Sequence, residues 1–295
     1  MRIVLVALLS ILPLSTVVAD IAQTVQAADA FHEKGMYADA RTLVLDAVSG
    51  VSAGKEQAEL YWRAARETLE LGDIAEAAKK PAADVLAVFT EGEGYADKAI
   101  AADPQNDLGY YWKSSNIGRW GQVKGILNSL FKAGPMKDLL VKELTLNAER
   151  SDAYYVLGQL YRELPGIISF GNVDAAVSLG RKAVDLRQAQ VKAGTEPQLS
   201  YNFISELAKS LYKRNWTAVT RLSEQKNKVA KLAAAVTPLD KGSYYEAGVT
   251  LQNVSDREEA KSLVQAVVAA LQAEPSLSAP QAKDFQKAKD ILKGW

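Results

Sequence analysis

The chain has 295 residues, with 35 basic and 35 acidic side chains and 48% apolar content. Balanced, interspersed charge excludes the basic stripe of a nucleic-acid protein, and the apolar content excludes a disordered chain. There is no cysteine and one histidine, His32, which excludes disulfides, thiolate nucleophiles, cysteine-zinc sites and multi-histidine metal sites.

Arg2, the apolar run from Ile3 to Leu14, and Val17 and Ala19 just before Asp20 have the form of a secretory signal peptide, residues 1–19. The run is shorter than the about 20 residues of a comfortable membrane span. No cysteine is available near the cleavage point for a lipid anchor. The expectation is an exported, periplasmic protein, soluble after cleavage, with 34 basic and 35 acidic residues.

Downstream, prolines are few, and the stretches between them are rich in Ala, Leu, Lys, Glu and Gln, which favour helix. No segment alternates with period two, so no strand is expected. A 34-residue helix-pair frame of the tetratricopeptide (TPR) type, with small residues where helices approach closely, fits repeatedly. The first unit starts at Ile21, with Ala27, Ala28 and Phe31 on its first helix, Gly35 at the turn, and Tyr37, Ala40 and Ala47 on its second. The second starts near Ala58, with Ala64, Ala65 and Thr68, a turn at Gly72, then Ile74 and Ala77, and ends at Ala99 and Pro104. The third starts at Asp107, and the fourth places Tyr154, Leu157, Gly158 and Tyr161 before Gly171, Val173, Ala176 and Ala183. A fifth, degenerate unit begins near Tyr201. Units two, three and four carry extra residues between their two helices, expected on one edge of the stack, where repeat proteins often bind. The insert from Gly118 to Pro135 holds Trp120, Val123, Ile126, Leu127, Leu130 and Phe131, which must pack together or line a cavity.

Ser255 with Glu258 forms a capping box opening a helix to about Leu271, and Ser278 caps a last helix with Pro280 in its first turn. The expected fold is all-α: an α-solenoid of about five TPR-like helix pairs over residues 20–220, with C-terminal capping helices over 221–295.

Several segments resemble known families: Tyr61-Trp62-Arg63-Ala64-Ala65-Arg66, the run Gly94 to Ile100, Gly109-Tyr110-Tyr111-Trp112 with the insert after it, and Leu164-Pro165-Gly166. Over roughly residues 58–190 they are similar to the TRAP-transporter-associated (TatT-like) TPR family and to the regulator of microtubule dynamics family. The first resemblance implies a periplasmic helical scaffold with a ligand channel, associated with the solute-binding protein of a TRAP transporter. The lipid-anchoring cysteine of that family is missing here. From the second resemblance only the fold carries over, since a microtubule role does not suit an exported chain.

In the helix-pair frame the groove-facing positions hold Trp62, Arg66, Tyr111, Arg119, Tyr155, Gln159 and Arg162, the expected binding residues. Arginine clamps carboxylates through paired hydrogen bonds, and aromatic rings supply apolar walls. For Trp62 and Tyr155 packing fits as well as binding. Arg66 and Arg162 fit either a ligand clamp or an ion pair with a neighbouring glutamate. Tyr110, Trp112, Tyr154 and Tyr161 fit the core, and His32 has no role. No phosphate loop, His-Glu-x-x-His or Gly-x-Ser-x-Gly occurs, and Glu258-Glu259 fits an exposed helix start. The expectation is therefore a non-enzymatic scaffold without cofactor or metal. It binds a small anionic or apolar ligand or a transporter's solute-binding protein. The alternative is a cell-envelope adaptor holding an extended peptide or partner helix.

Overall fold

A computed structural model describes residues 21–295; the expected signal segment, 1–19, lies outside the described residues. Among the described residues are thirteen α-helices, one short 3-10 helix and no strand. None of these helices is long and apolar enough to cross a membrane. Four helix pairs follow one another: α1 (Ile21–Glu33) with α2 (Tyr37–Val48), α3 (Lys55–Ala77) with α4 (Ala82–Ala102), α5 (Asp107–Lys124) with α6 (Ile126–Leu146), and α7 (Ser151–Glu163) with α8 (Val173–Lys192). The first helix of each pair also packs on the first helix of the next, continuing to α9 (Tyr201–Arg214). The result is an all-α, solenoid-like stack with α1, α3, α5, α7 and α9 as one layer.

Small residues set the helix spacing. Ala28, Ala40, Ala64, Ala65, Ala99, Ala153, Ala176, Ala183 and Ala208 are fully buried, so neighbouring backbones approach closely and longer side chains interlock around them. Asn106 and Asn172 start α5 and α8 by accepting backbone N–H bonds at the first turn.

The extra residues are housed differently from the sequence expectation. In the second and third pairs they lengthen the helices instead of forming loops: α3 has 23 residues and α4 has 21. Gly72, expected at a turn, lies inside α3, where a Cβ would stand 2.4 Å from the Phe89 ring of α4. The helix formers around it carry α3 on to Ala77, and the close fit of Phe89 offsets the about 0.5–1 kcal/mol that glycine costs a helix. The α5–α6 turn is a single residue, Gly125, with φ +91°, a backbone region glycine enters freely. Only the fourth pair has a true loop, residues 164–172.

The C-terminal third also departs from simple stacking. α10 (Ala218–Ala234) does not supply the second helix of a fifth pair; α12 (Asp256–Ala273) packs along α9 instead. The only buried side chains of α10 are Arg221 and Lys228, so ion pairs, not an apolar stripe, fasten it. α11 (Pro238–Ser243) and the 3-10 helix Tyr245–Gly248 connect α10 to α12. Arg214 of α9 pairs with Glu246 at 2.5 Å, Asp256 at 2.8 Å and Asp174 at 2.9 Å. Arg181 reaches Glu246 and Glu259, and Arg221 reaches Asp256 and Glu259. Glu259, expected as an exposed helix-start residue, therefore belongs to this network. The capping box at Ser255/Glu258 forms as expected for α12, and Ser278 caps α13 (Ala279–Lys293) as expected, with Gln281 completing a second capping box there.

Two outcomes follow. Gly72→Ala lowers unfolding free energy by about 1–3 kcal/mol through overpacking, while Gly94→Ala in α4, where a Cβ meets nothing within 4 Å, raises it by about 0.5–1 kcal/mol; urea unfolding of both variants measures the contrast. Burial raises the pKa of Glu246, but the hydrogen bonds and charges of Arg214, then Arg181 and Lys228, outweigh it and hold it at about 2 in the folded chain. Its contribution is present above about 4.5, the unfolded value, and is lost as pH falls toward 2. Glu246→Gln flattens the pH dependence of urea stability across that window.

Candidate functional site

The last helix builds the site. α13 does not extend the stack; it returns across the first-helix layer. Near its start Ala279 lies by Gly35, where an added Cβ would stand 3.0 Å from the Ala279 methyl. Lys283 then pairs with Glu70 at 3.1 Å and Asp73 at 2.6 Å, both on α3. Farther along, Lys287 pairs with Glu206 of α9, and Trp295 stacks on Tyr212 with ring centroids 4.2 Å apart. α13 thus bridges the two ends of the layer.

Beneath it lies a cavity of about 550 Å³, a size that suits a drug-like small molecule. α3 contributes Leu69, Glu70 and Asp73; α5 contributes Tyr111, Trp112, Ser115, Ile117, Arg119 and Gln122. α7 contributes Asp152, Tyr155, Val156, Gln159, Leu160 and Glu163, and the start of α9 adds Asn202 and Phe203. α13 supplies the roof with Pro280, Lys283, Asp284 and Lys287. α6 lines the cavity with Ile126, Ser129, Lys132, Ala133 and Met136. Pro135 sits inside this helix and removes one helical hydrogen bond where its packing changes. Leu140 and Leu144 beyond it are core, whereas Leu127 and Phe131 before it are 70% and 69% exposed.

Four of the seven expected binding residues meet here: Tyr111, Arg119, Tyr155 and Gln159. Tyr155 stacks on Phe203 at 4.3 Å and accepts a hydrogen bond from the Asn202 amide group. Burial raises the Tyr155 and Tyr111 phenols well above their ordinary range, so both remain protonated donors. Arg119 lines the wall but is held by Asp73 at 2.6 Å and by Glu76.

Trp62, Arg66 and Arg162 lie outside the cavity wall. Trp62 is buried under the Arg63 guanidinium, 4.0 Å from its ring centre. Arg66 is consumed by Asp29 and Glu67, each at 2.7 Å, and the same Glu67 binds His32 Nδ1 at 2.9 Å. Arg162 is 3% exposed and locked to Glu206 at 2.5 Å and Glu163 at 2.7 Å. The ion-pair alternative applies to both arginines, whose guanidinium groups are engaged by carboxylates of the chain itself. A repeat frame fixes which way a position points; it does not reveal that a carboxylate waits opposite.

Sequence reasoning missed Trp112, assigned to the core, and every contribution of α13. Asp284 has the most distinctive environment. Its carboxyl accepts the Asn202 N–H at 3.1 Å, and burial pushes its pKa up to about 6 against the pull of Lys287, that N–H and Lys283. Among the described residues no cluster of three or more His, Asp or Glu could hold a metal.

Arg162→Ala leaves Glu206 buried without one of its partners and costs about 3–5 kcal/mol of stability. Lys283→Ala, at an ion pair whose cation is half exposed, costs no more than about 1 kcal/mol. Chemical denaturation of the two variants measures this asymmetry.

No curated protein matches the chain. The family model described as regulator of microtubule dynamics protein 1-3, a helical family, matches residues 24–165, a stretch that ends just after α7 and so takes in the α3, α5, α6 and α7 walls of the cavity but not its roof.

Proposed function

We propose that this chain is a non-enzymatic scaffold that encloses one small, largely apolar ligand between its first-helix layer and α13. The observation that carries this reading is the cavity itself. It is of ligand size, with an apolar wall of Tyr111, Trp112, Tyr155, Phe203, Ile117 and Met136 beside charged side chains that are mostly held in ion pairs. An apolar wall with fixed polar groups beside it is what a small-molecule site needs. The helix pairs are read as tetratricopeptide-type units. Export to the periplasm rests on the form of residues 1–19, and association with a TRAP-type solute-binding protein rests on the sequence resemblance over residues 58–190. In that setting the scaffold takes its ligand from, or passes it to, the binding protein.

A second reading, an envelope adaptor that docks a peptide or partner helix, is favoured by one observation. Large apolar side chains stand exposed beside the cavity, Leu127 and Phe131 on α6 and Ile167 and Ile168 on the 164–172 loop, the last two 99% and 64% exposed. Such side chains are frequent at protein interfaces.

Native mass spectrometry of protein purified without detergent separates the readings. The ligand reading predicts one small-molecule adduct per chain, lost in Met136→Trp, which fills the cavity. Bare protein throughout, with partner capture abolished by Leu127→Glu and Phe131→Glu, favours the adaptor instead.

A further inference from the structure

The charges that line the cavity do not cancel evenly. Four of its five carboxylates already hold a cation. Glu70 and Asp73 hold Lys283, and Asp73 also holds Arg119; Asp152 pairs with Arg187 at 2.9 Å and Glu163 with Arg162. Its four cations are equally committed: Arg119 to Asp73 and Glu76, Lys132 to Glu93 at 3.0 Å, Lys283 to α3, and Lys287 to Glu206. Asp284 is the exception. Among the described residues it has no cation within 4 Å, and the Asn202 N–H is its one hydrogen-bond donor.

An anion entering this cavity finds every cation of its wall already paired. A cation finds a partner waiting, because a carboxylate in a sparsely hydrated site is costly until it is paired. The walls suit the same guest: Tyr111, Trp112, Tyr155 and Phe203 accept an apolar body, and aromatic rings attract alkylammonium groups. We propose, resting on the reading of the cavity as a ligand site, that its ligand is an apolar or aromatic amine whose ammonium group pairs with Asp284. The charged and titratable groups that act on Asp284 are Lys283 and Lys287 on α13, Tyr155 on α7 and Glu70 on α3, with Glu206 of α9 holding Lys287. Each lysine is occupied by another carboxylate, so neither fills the place of the ammonium.

Calorimetric titration with octylamine, octanol and octanoate at about pH 8 tests this. Octylamine is expected to bind about tenfold more tightly than octanol, a factor in the range of a partly desolvated ion pair, and octanoate most weakly. Asp284→Asn brings the amine-to-alcohol ratio to about one. In the unmodified chain the ratio falls as pH drops through about 6, where Asp284 takes up its proton while the amine stays charged; this series needs no variant to fold. Octanoate binding as tightly as octylamine, or a ratio that survives Asp284→Asn, overturns the proposal. Octanol binding with no preference for the amine overturns the amine and leaves the cavity reading standing. Failure of all three probes to bind overturns both.

Discussion

The site exists because α13 turns back. Lys283 ties the start of this helix to Glu70 and Asp73 of α3, and Lys287 ties it to Glu206 of α9. Without that return the first-helix layer would be an open surface, with aromatic side chains of α5, α7 and α9 facing water. With it, the same surface becomes a wall. The two anchors differ physically. The α9 anchor is buried around Glu206, whose carboxyl is held below its usual range because Lys287 and Arg162 outweigh the cost of burial. The α3 anchor has a half-exposed lysine, where solvent screens the attraction. The α3 end is therefore the weaker fastening.

Much of the helical architecture was legible. Small residues spaced along each helix pair announced close packing, and Ala64, Ala99, Ala176 and Ala183 are fully buried. The Ser255/Glu258 capping box and the Ser278 cap were visible, because capping depends on only four consecutive positions. The extra residues were harder to place. Gly72 resembled a turn, but helix-forming neighbours and the Phe89 ring kept it in α3. Propensity describes a local preference, and a contact with the next helix decided the matter.

The site was only half legible, for a similar reason. Tyr111, Tyr155, Gln159 and Arg119 follow from the direction in which helix positions point. Arg66 and Arg162 point inward too, yet Asp29, Glu67 and Glu206 claim them first. Asp284 left no local trace: it sits on an ordinary amphipathic helix, and its importance comes from Asn202, 82 residues away in the chain. What sequence periodicity cannot carry is the pairing of distant charges, and here that pairing determines both which arginines are unavailable and which carboxylate is left over.

The central claim is a ligand held between the helix layer and α13. Anomalous diffraction from crystals grown with a brominated long-chain alcohol tests it most directly. The account predicts a single bromine site bounded by Trp112, Met136, Tyr155 and Phe203, beneath an α13 still joined to α3 and α9. A cavity free of bromine, with the probe instead seated on Leu127 and Phe131, would contradict it.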